Sequence, residues 1–118
     1  MSKVRVFRVE DKSGNGPYWD YALPEMGRSH TDSDHPCAFE DFGAKFNPNH
    51  HFAFDALEKA EEWFRGYAET LTNAGFLLHE YEVDSRFVME GCSGKQVTFN
   101  RKFATLIGEG HAPNTLWA

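Results

Sequence analysis

Residues 55–83, DALEKAEEWFRGYAETLTNAGFLLHEYEV, contain both periodicities that the chain uses, and their order decides the fold class. Leu57, Ala60, Phe64, Tyr67 and Leu71 recur at spacings of three or four, which puts them on one face of a helix. Asp55 with Glu58 three residues on is a capping-box pattern that places Asp55 as N-cap. Glu58, Glu61 and Glu62 crowd the end where the helix dipole is positive. Gly75 ends the helix. The pattern then changes, and Phe76 to Val83 reads as a strand.

Working outward, Phe87-Val88-Met89, the turn Gly91-Cys92-Ser93-Gly94 and then Gln96-Val97-Thr98-Phe99 predict a short strand, a turn and another strand. Residues 100–107 are expected to form a last helical turn or two. Residues 108–118 are expected to be a loosely held tail, with Leu116 and Trp117 as the side chains able to dock. At the other end, Val4, Val6, Phe7 and Val9 interleaved with Arg5 and Arg8 predict a strand from Lys3 to Glu10. Asp11-Lys12-Ser13-Gly14-Asn15-Gly16-Pro17 is a turn signal. From Tyr18 to Asn49 there is no periodicity, and Pro24, Pro36 and Pro48 predict a long irregular segment of the kind that often carries function. Strand, loop, helix and three strands do not alternate as a doubly wound sheet does. The expectation is therefore one α+β domain over 1–118, with a largely antiparallel sheet and one principal central helix.

Composition narrows the function. Aromatic residues make up 15% of the 118 residues, led by 11 Phe, enough for a dense small core or for a ligand cleft. No apolar run approaches the length of about 20 residues that crosses a bilayer, and no signal-peptide pattern opens the chain, so a cytoplasmic location is expected and a membrane partner is not. Two cysteines, Cys37 and Cys92, predict free thiols rather than a disulfide framework. Net charge is −6, and between Glu10 and Glu62 twelve acids face Lys12, Arg28, Lys45 and Lys59. A phosphate backbone needs a clustered basic face, so direct nucleic-acid binding is not expected.

Three constellations bear chemistry. Arg8 beside Gly14-Asn15-Gly16-Pro17-Tyr18 joins a forked cation to a turn whose backbone N–H groups can approach an anion, although an ordinary turn and a paired arginine use the same residues. His30, His35 and Cys37, with Asp32 and Asp34 between them and Cys92 or His79 from elsewhere, contain metal-ligand types. Their spacing matches no paired zinc motif, so no metal is expected, and His50-His51 reads as solvated loop. Glu80 and Glu82 point to one face of a strand, as an acid–base pair or a wet edge would. Cys37, Cys92, Ser29, Ser33, Ser85 and Ser93 lack a nucleophile signature.

Val6-Phe7-Arg8-Val9-Glu10, Gly16-Pro17-Tyr18, His35-Pro36, Trp63-Phe64, Gly75-Phe76 leading to Tyr81-Glu82-Val83, and Gln96-Val97-Thr98-Phe99 together resemble a group of small phage and prophage proteins. That group in turn is similar to the ADP-ribosyltransferase fold. The resemblance implies NAD or a related nucleotide as ligand. It gives Arg8 the phosphate, Tyr18 a stacking role and Gln96 the place of the catalytic Glu, and Gly16 and His35 are expected to line the ligand with them. Gln96 hydrogen-bonds a ribose hydroxyl but brings no charge to an oxocarbenium-like transition state, and no Ser-Thr-Ser strand occurs. The resemblance thus favours a nucleotide-sized cleft over turnover. The alternative expectation is a phage-encoded inhibitor that binds a host protein through the acidic segment from Glu10 to Asp41 and the rings of Tyr18, Trp19 and Tyr21. A third is an oligomeric assembly component.

Overall fold

The computed structural model describes residues 2–18, 23, 24, 26, 30 and 35–117. Strand β1 (Lys3–Glu10) is followed by helix α1 (Ala38–Phe42), strand β2 (His51–Ala53), helices α2 (Leu57–Trp63) and α3 (Ala68–Asn73), and strand β3 (Leu77–Asp84). Then come β4 (Val88–Glu90), β5 (Val97–Phe99), β6 (Ala104–His111) and α4 (Pro113–Leu116). The strands form two antiparallel sheets, ordered β1-β3-β6 and β2-β5-β4. The α+β class and the antiparallel pairing are those expected from the sequence.

In the first sheet, β1 and β3 pair along their full lengths, Lys3 opposite Asp84 and Glu10 opposite Leu77. β6 covers the other side of β3, with a register shift between Leu78 and Glu80. One isolated backbone bridge joins the two sheets. Phe54, just past β2, exchanges backbone hydrogen bonds with Phe7 at 2.7 and 2.8 Å.

Period-2 alternation sends the two faces of β1 into different surroundings. Val9, with Phe7 against it, joins a cluster containing Phe54, Trp63, Phe64, Leu71, Phe76, Leu78 and Trp117. Val6 joins Ala53, Tyr81, Val83, Val97 and Phe99. Arg8 and Glu10 share the face of Val6, so a cation and an acid continue an apolar row into the interior.

Several local expectations are corrected. The central helical stretch is two short helices rather than one, because Gly66 lies at φ 85°, a left-handed conformation that ends α2 and lets the chain restart at Ala68. The N-cap is Ala56, without a side-chain cap, and Asp55 instead pairs with Lys59 Nζ at 2.8 Å. Residues 100–107 form a 3₁₀ turn (Arg101–Phe103) and then the start of β6, α1 lies within the stretch 18–49 expected to be irregular, and His51, expected in a solvated loop, opens β2. The C-terminal residues are anchored rather than loose: Pro113 and Trp117 are buried, and Trp117 lies parallel to Phe64 at 6.5 Å. Leu116 stays 37% exposed.

Candidate functional site

The site begins with the arginine of β1. Arg8 is 8% exposed and donates through Nε to Glu10 Oε2 at 2.9 Å, through Nη1 to the carbonyl oxygen of Phe52 at 2.8 Å, and through Nη2 to that of Gly14 at 3.1 Å. The turn 11–17 therefore packs onto the guanidinium. Gly14, at φ 84°, is the glycine this packing requires, since a Cβ there would run into Arg101 Nη1, whereas one at Gly16 would be in ordinary contact with Arg8. Burial lowers the proton affinity of Arg8, while Glu10 opposes that shift.

Glu10, itself 3% exposed, also accepts from His79 Nδ1 at 3.0 Å, from the Tyr81 hydroxyl and from Arg101 Nη2. Two guanidinium groups thus share one carboxylate, which leaves the cluster with net positive charge. Burial, followed by the bond to Glu10, pushes Tyr81 up to about 12.

A cavity of about 430 Å³ opens beside this cluster. Arg8, Gly16, Pro17, Tyr18, Pro36, Cys37 and Gln96 line it together with Phe52, Phe54, Trp63 and Phe64. Arg8, Gly16, Tyr18 and Gln96, singled out from widely separated parts of the sequence, thus come to one hollow. His35 does not. It borders a neighbouring cavity of about 420 Å³ with Glu58, Lys59, Glu62, Trp63, Arg65, Gly94 and Lys95.

Gln96 is fixed from behind. Its Nε2 donates to the carbonyl oxygen of Pro36 at 3.0 Å and to Asp41 Oδ2 at 2.9 Å. Asp41, 1% exposed, also accepts from the Ser93 backbone N–H at 2.7 Å and the Ser93 hydroxyl at 3.0 Å. The backbone of Asp41 is held as well, by Cys37 and Cys92 at 3.0 and 2.8 Å.

On the aromatic wall, the indole N–H of Trp63 donates to the Tyr18 hydroxyl at 2.8 Å, and that hydroxyl reaches His30 Nδ1 at 2.5 Å. Although Tyr18 is 44% exposed, desolvation of its hydroxyl raises its proton affinity, with the Trp63 bond pulling the other way. His35 Nε2 donates to the carbonyl oxygen of Trp63 at 2.9 Å, and its ring stacks on that of His30 at 3.7 Å. His35 therefore acts on the cavity through Trp63, as a brace behind the wall.

The remaining sequence candidates are placed as follows. Glu80 and Glu82 pair with Arg5 at 3.6 Å and Lys3 at 3.7 Å on the partly exposed face of the first sheet, away from the cavity lining. Cys37 and Cys92 are free and exposed. Among the described residues no three His, Cys, Asp or Glu side chains gather as metal ligands, and no helix is long and apolar enough to cross a membrane. Asp32, Asp34, Trp19 and Tyr21 lie outside the described residues, and with them most of the surface invoked for a protein-binding inhibitor.

Arg101 belongs to the site without any signal in the sequence, and the supporting roles of Asp41 and Pro36, which enter the sequence reading only as the end of an acidic segment and as part of His35-Pro36, are not legible there. An Asp in an aperiodic stretch reads as solvated, and no local pattern pairs it with Ser93 or Gln96.

The positive cluster also leaves a trace on His51 in β2. Burial, then Arg8 and Arg101, hold this half-buried imidazole down at about 4, against an ordinary value near 6.5. Between those values the unfolded chain binds a proton that the folded chain refuses, so stability should rise with pH from about 4 to about 6.5 and be lost on acidification through that window. Melting temperatures taken across it should slope less in His51→Gln than in the wild type. Equal slopes would assign the effect to other groups.

Compared with known proteins, residues 1–112 match a family model described as Bacteriophage T4 Y00F protein. No curated protein and no solved structure matches the chain.

Proposed function

The chain belongs to that phage protein family, and for it we propose a small-ligand role: binding of a nucleotide-like molecule of the NAD or ADP-ribose class in the cavity beside β1. The observation that carries this reading is the shared lining. One hollow presents a buried arginine, a fixed amide and four aromatic rings from Phe52, Phe54, Trp63 and Phe64, with Tyr18 beside them. Its volume falls within the roughly 300–1,000 Å³ usual for small-molecule sites, and an apolar wall with a few convergent polar groups is their usual chemistry. The rings suit a planar base. Arg8 has spent three of its five N–H groups on Glu10, Phe52 and Gly14, so two remain for a phosphate or carboxylate oxygen.

The residues support binding more than group transfer. An oxocarbenium-like transition state is stabilised by nearby negative charge, and the carboxylate closest to Gln96, that of Asp41, is occupied by three donors. In this reading NAD is a ligand and not a substrate.

Thermal unfolding with NAD, ADP-ribose, AMP and cyclic nucleotides at about 1 mM tests the proposal. A ligand with Kd about 100 μM adds about 1.4 kcal/mol of apparent stability, and a measurable rise in melting temperature is expected with at least one of them. Absence of a shift with all of them removes the reading.

A further inference from the structure

The amide of Gln96 has its two ends assigned by chemistry rather than by shape. Nε2 faces the Pro36 carbonyl oxygen at 3.0 Å and Asp41 Oδ2 at 2.9 Å, and both are acceptors. Only the NH₂ end of the amide satisfies two acceptors, so the opposite orientation is excluded. Both amide hydrogens are then used, and among the described residues no group donates to Oε1. Gln96 lines the cavity, whereas Asp41 does not. Toward a ligand the cavity therefore offers donors at Arg8 and an acceptor at Gln96.

From this we infer, on the basis of the nucleotide-binding reading above, that the cavity selects a nucleotide whose base carries an exocyclic amino group. The amino N–H meets Gln96 Oε1, and the anionic end lies toward Arg8. The reverse placement sets phosphate oxygens against the lone pairs of Oε1 and is disfavoured. Asp41 is a positioning residue in this scheme. It touches Gln96, not the ligand, and decides which end of the amide the ligand meets. Ser93 holds Asp41 in turn through its backbone N–H and hydroxyl, which leaves Asp41 Oδ2 directed at Gln96.

The test is calorimetric binding of AMP and of purine riboside 5′-monophosphate, which keeps the ring and phosphate but has no N–H on the base. The full chain is used throughout. AMP is expected to bind about tenfold more tightly, because the amino-free ligand leaves Oε1 buried against it without a donor. In Asp41→Asn the new carboxamide presents its own NH₂ toward Gln96 while the Pro36 carbonyl oxygen still calls for a donor, so the amide is no longer held in one orientation and Nε2 is free to enter the cavity. The AMP preference should then fall to parity or reverse, a change in ratio that mere loosening of the fold does not produce.

Should that variant fail to fold, Gln96→Met supplies the second measurement, since it removes the acceptor and should likewise abolish the preference. Equal affinities of the two ligands for the wild type overturn the inference while leaving nucleotide binding intact. A preference that survives in Asp41→Asn, or in Gln96→Met, overturns the role given to the amide. Binding of neither ligand to the wild type removes this inference together with the reading beneath it.

Discussion

Glu10→Ala is expected to lower the free energy of unfolding by about 3–5 kcal/mol, the range found when one member of a buried ion pair is removed and its partner stays buried. The size follows from the exposures: Glu10 is 3% and Arg8 8% exposed, so solvent cannot replace the lost carboxylate. Arg8 would keep its bonds to the carbonyl oxygens of Phe52 and Gly14 but carry an uncompensated charge, with Arg101 close enough to depress its proton affinity further. His79 and Tyr81 would lose the same acceptor. Glu10→Gln keeps an acceptor oxygen without the charge and should fall between the two. Urea unfolding monitored by tryptophan fluorescence measures all three proteins. A loss below about 1 kcal/mol for the alanine variant would mean that water reaches Arg8, and the cluster would then be a surface pair of the weak kind.

The second large effect is expected at the far end of the chain. Trp117→Ala should cost about 3–5 kcal/mol, as truncation of a buried large aromatic does. Trp117 is 5% exposed and lies parallel to Phe64, itself a wall of the cavity, so ligand affinity should fall along with stability. Trp117→Phe gives the control. Among the described residues the buried indole N–H of Trp117 has no hydrogen-bond acceptor, so a phenyl ring gives up packing but also relieves an unsatisfied donor, and the net cost should be small. Equal losses for the alanine and phenylalanine variants would show that the ring contributes little by packing.

The parts of the fold that could be read from the sequence are those whose cause is local. Alternation over Lys3–Glu10 and a run of β-favouring residues after Gly75 predict β1 and β3 to within a residue, because each strand buries at least one face. The helical face of Leu57, Ala60, Phe64 and Leu71 is real, but its spacing continues across Gly66 and so conceals the break there. β2 has three residues, too few for any period to show. β6 leaves no strand signal in the sequence because Gly108 and Gly110 interrupt it and its side chains are largely exposed, so it carries no apolar stripe.

The site divides in the same way. Arg8 with Glu10 is an i, i+2 pair on one strand face and follows from periodicity. Arg101, 91 positions from Glu10, follows only from the folded chain. Gln96 was singled out by resemblance, but what orients it, Asp41 at a separation of 55, leaves no local signal because a side-chain contact across a fold has no period.

β6 is the outer strand of its sheet, and its register against β3 slips near Gly108, which lies at φ 68° with Glu109 exposed beside it. An uninterrupted eight-residue rim would serve as a template on which other chains accrete. The slip bends that rim at its middle and a charge sits next to the bend, so an incoming strand finds neither the length nor the flatness to zip along it. The molecule thereby protects itself from fibril growth at the place where Leu106, 49% exposed, would otherwise invite it.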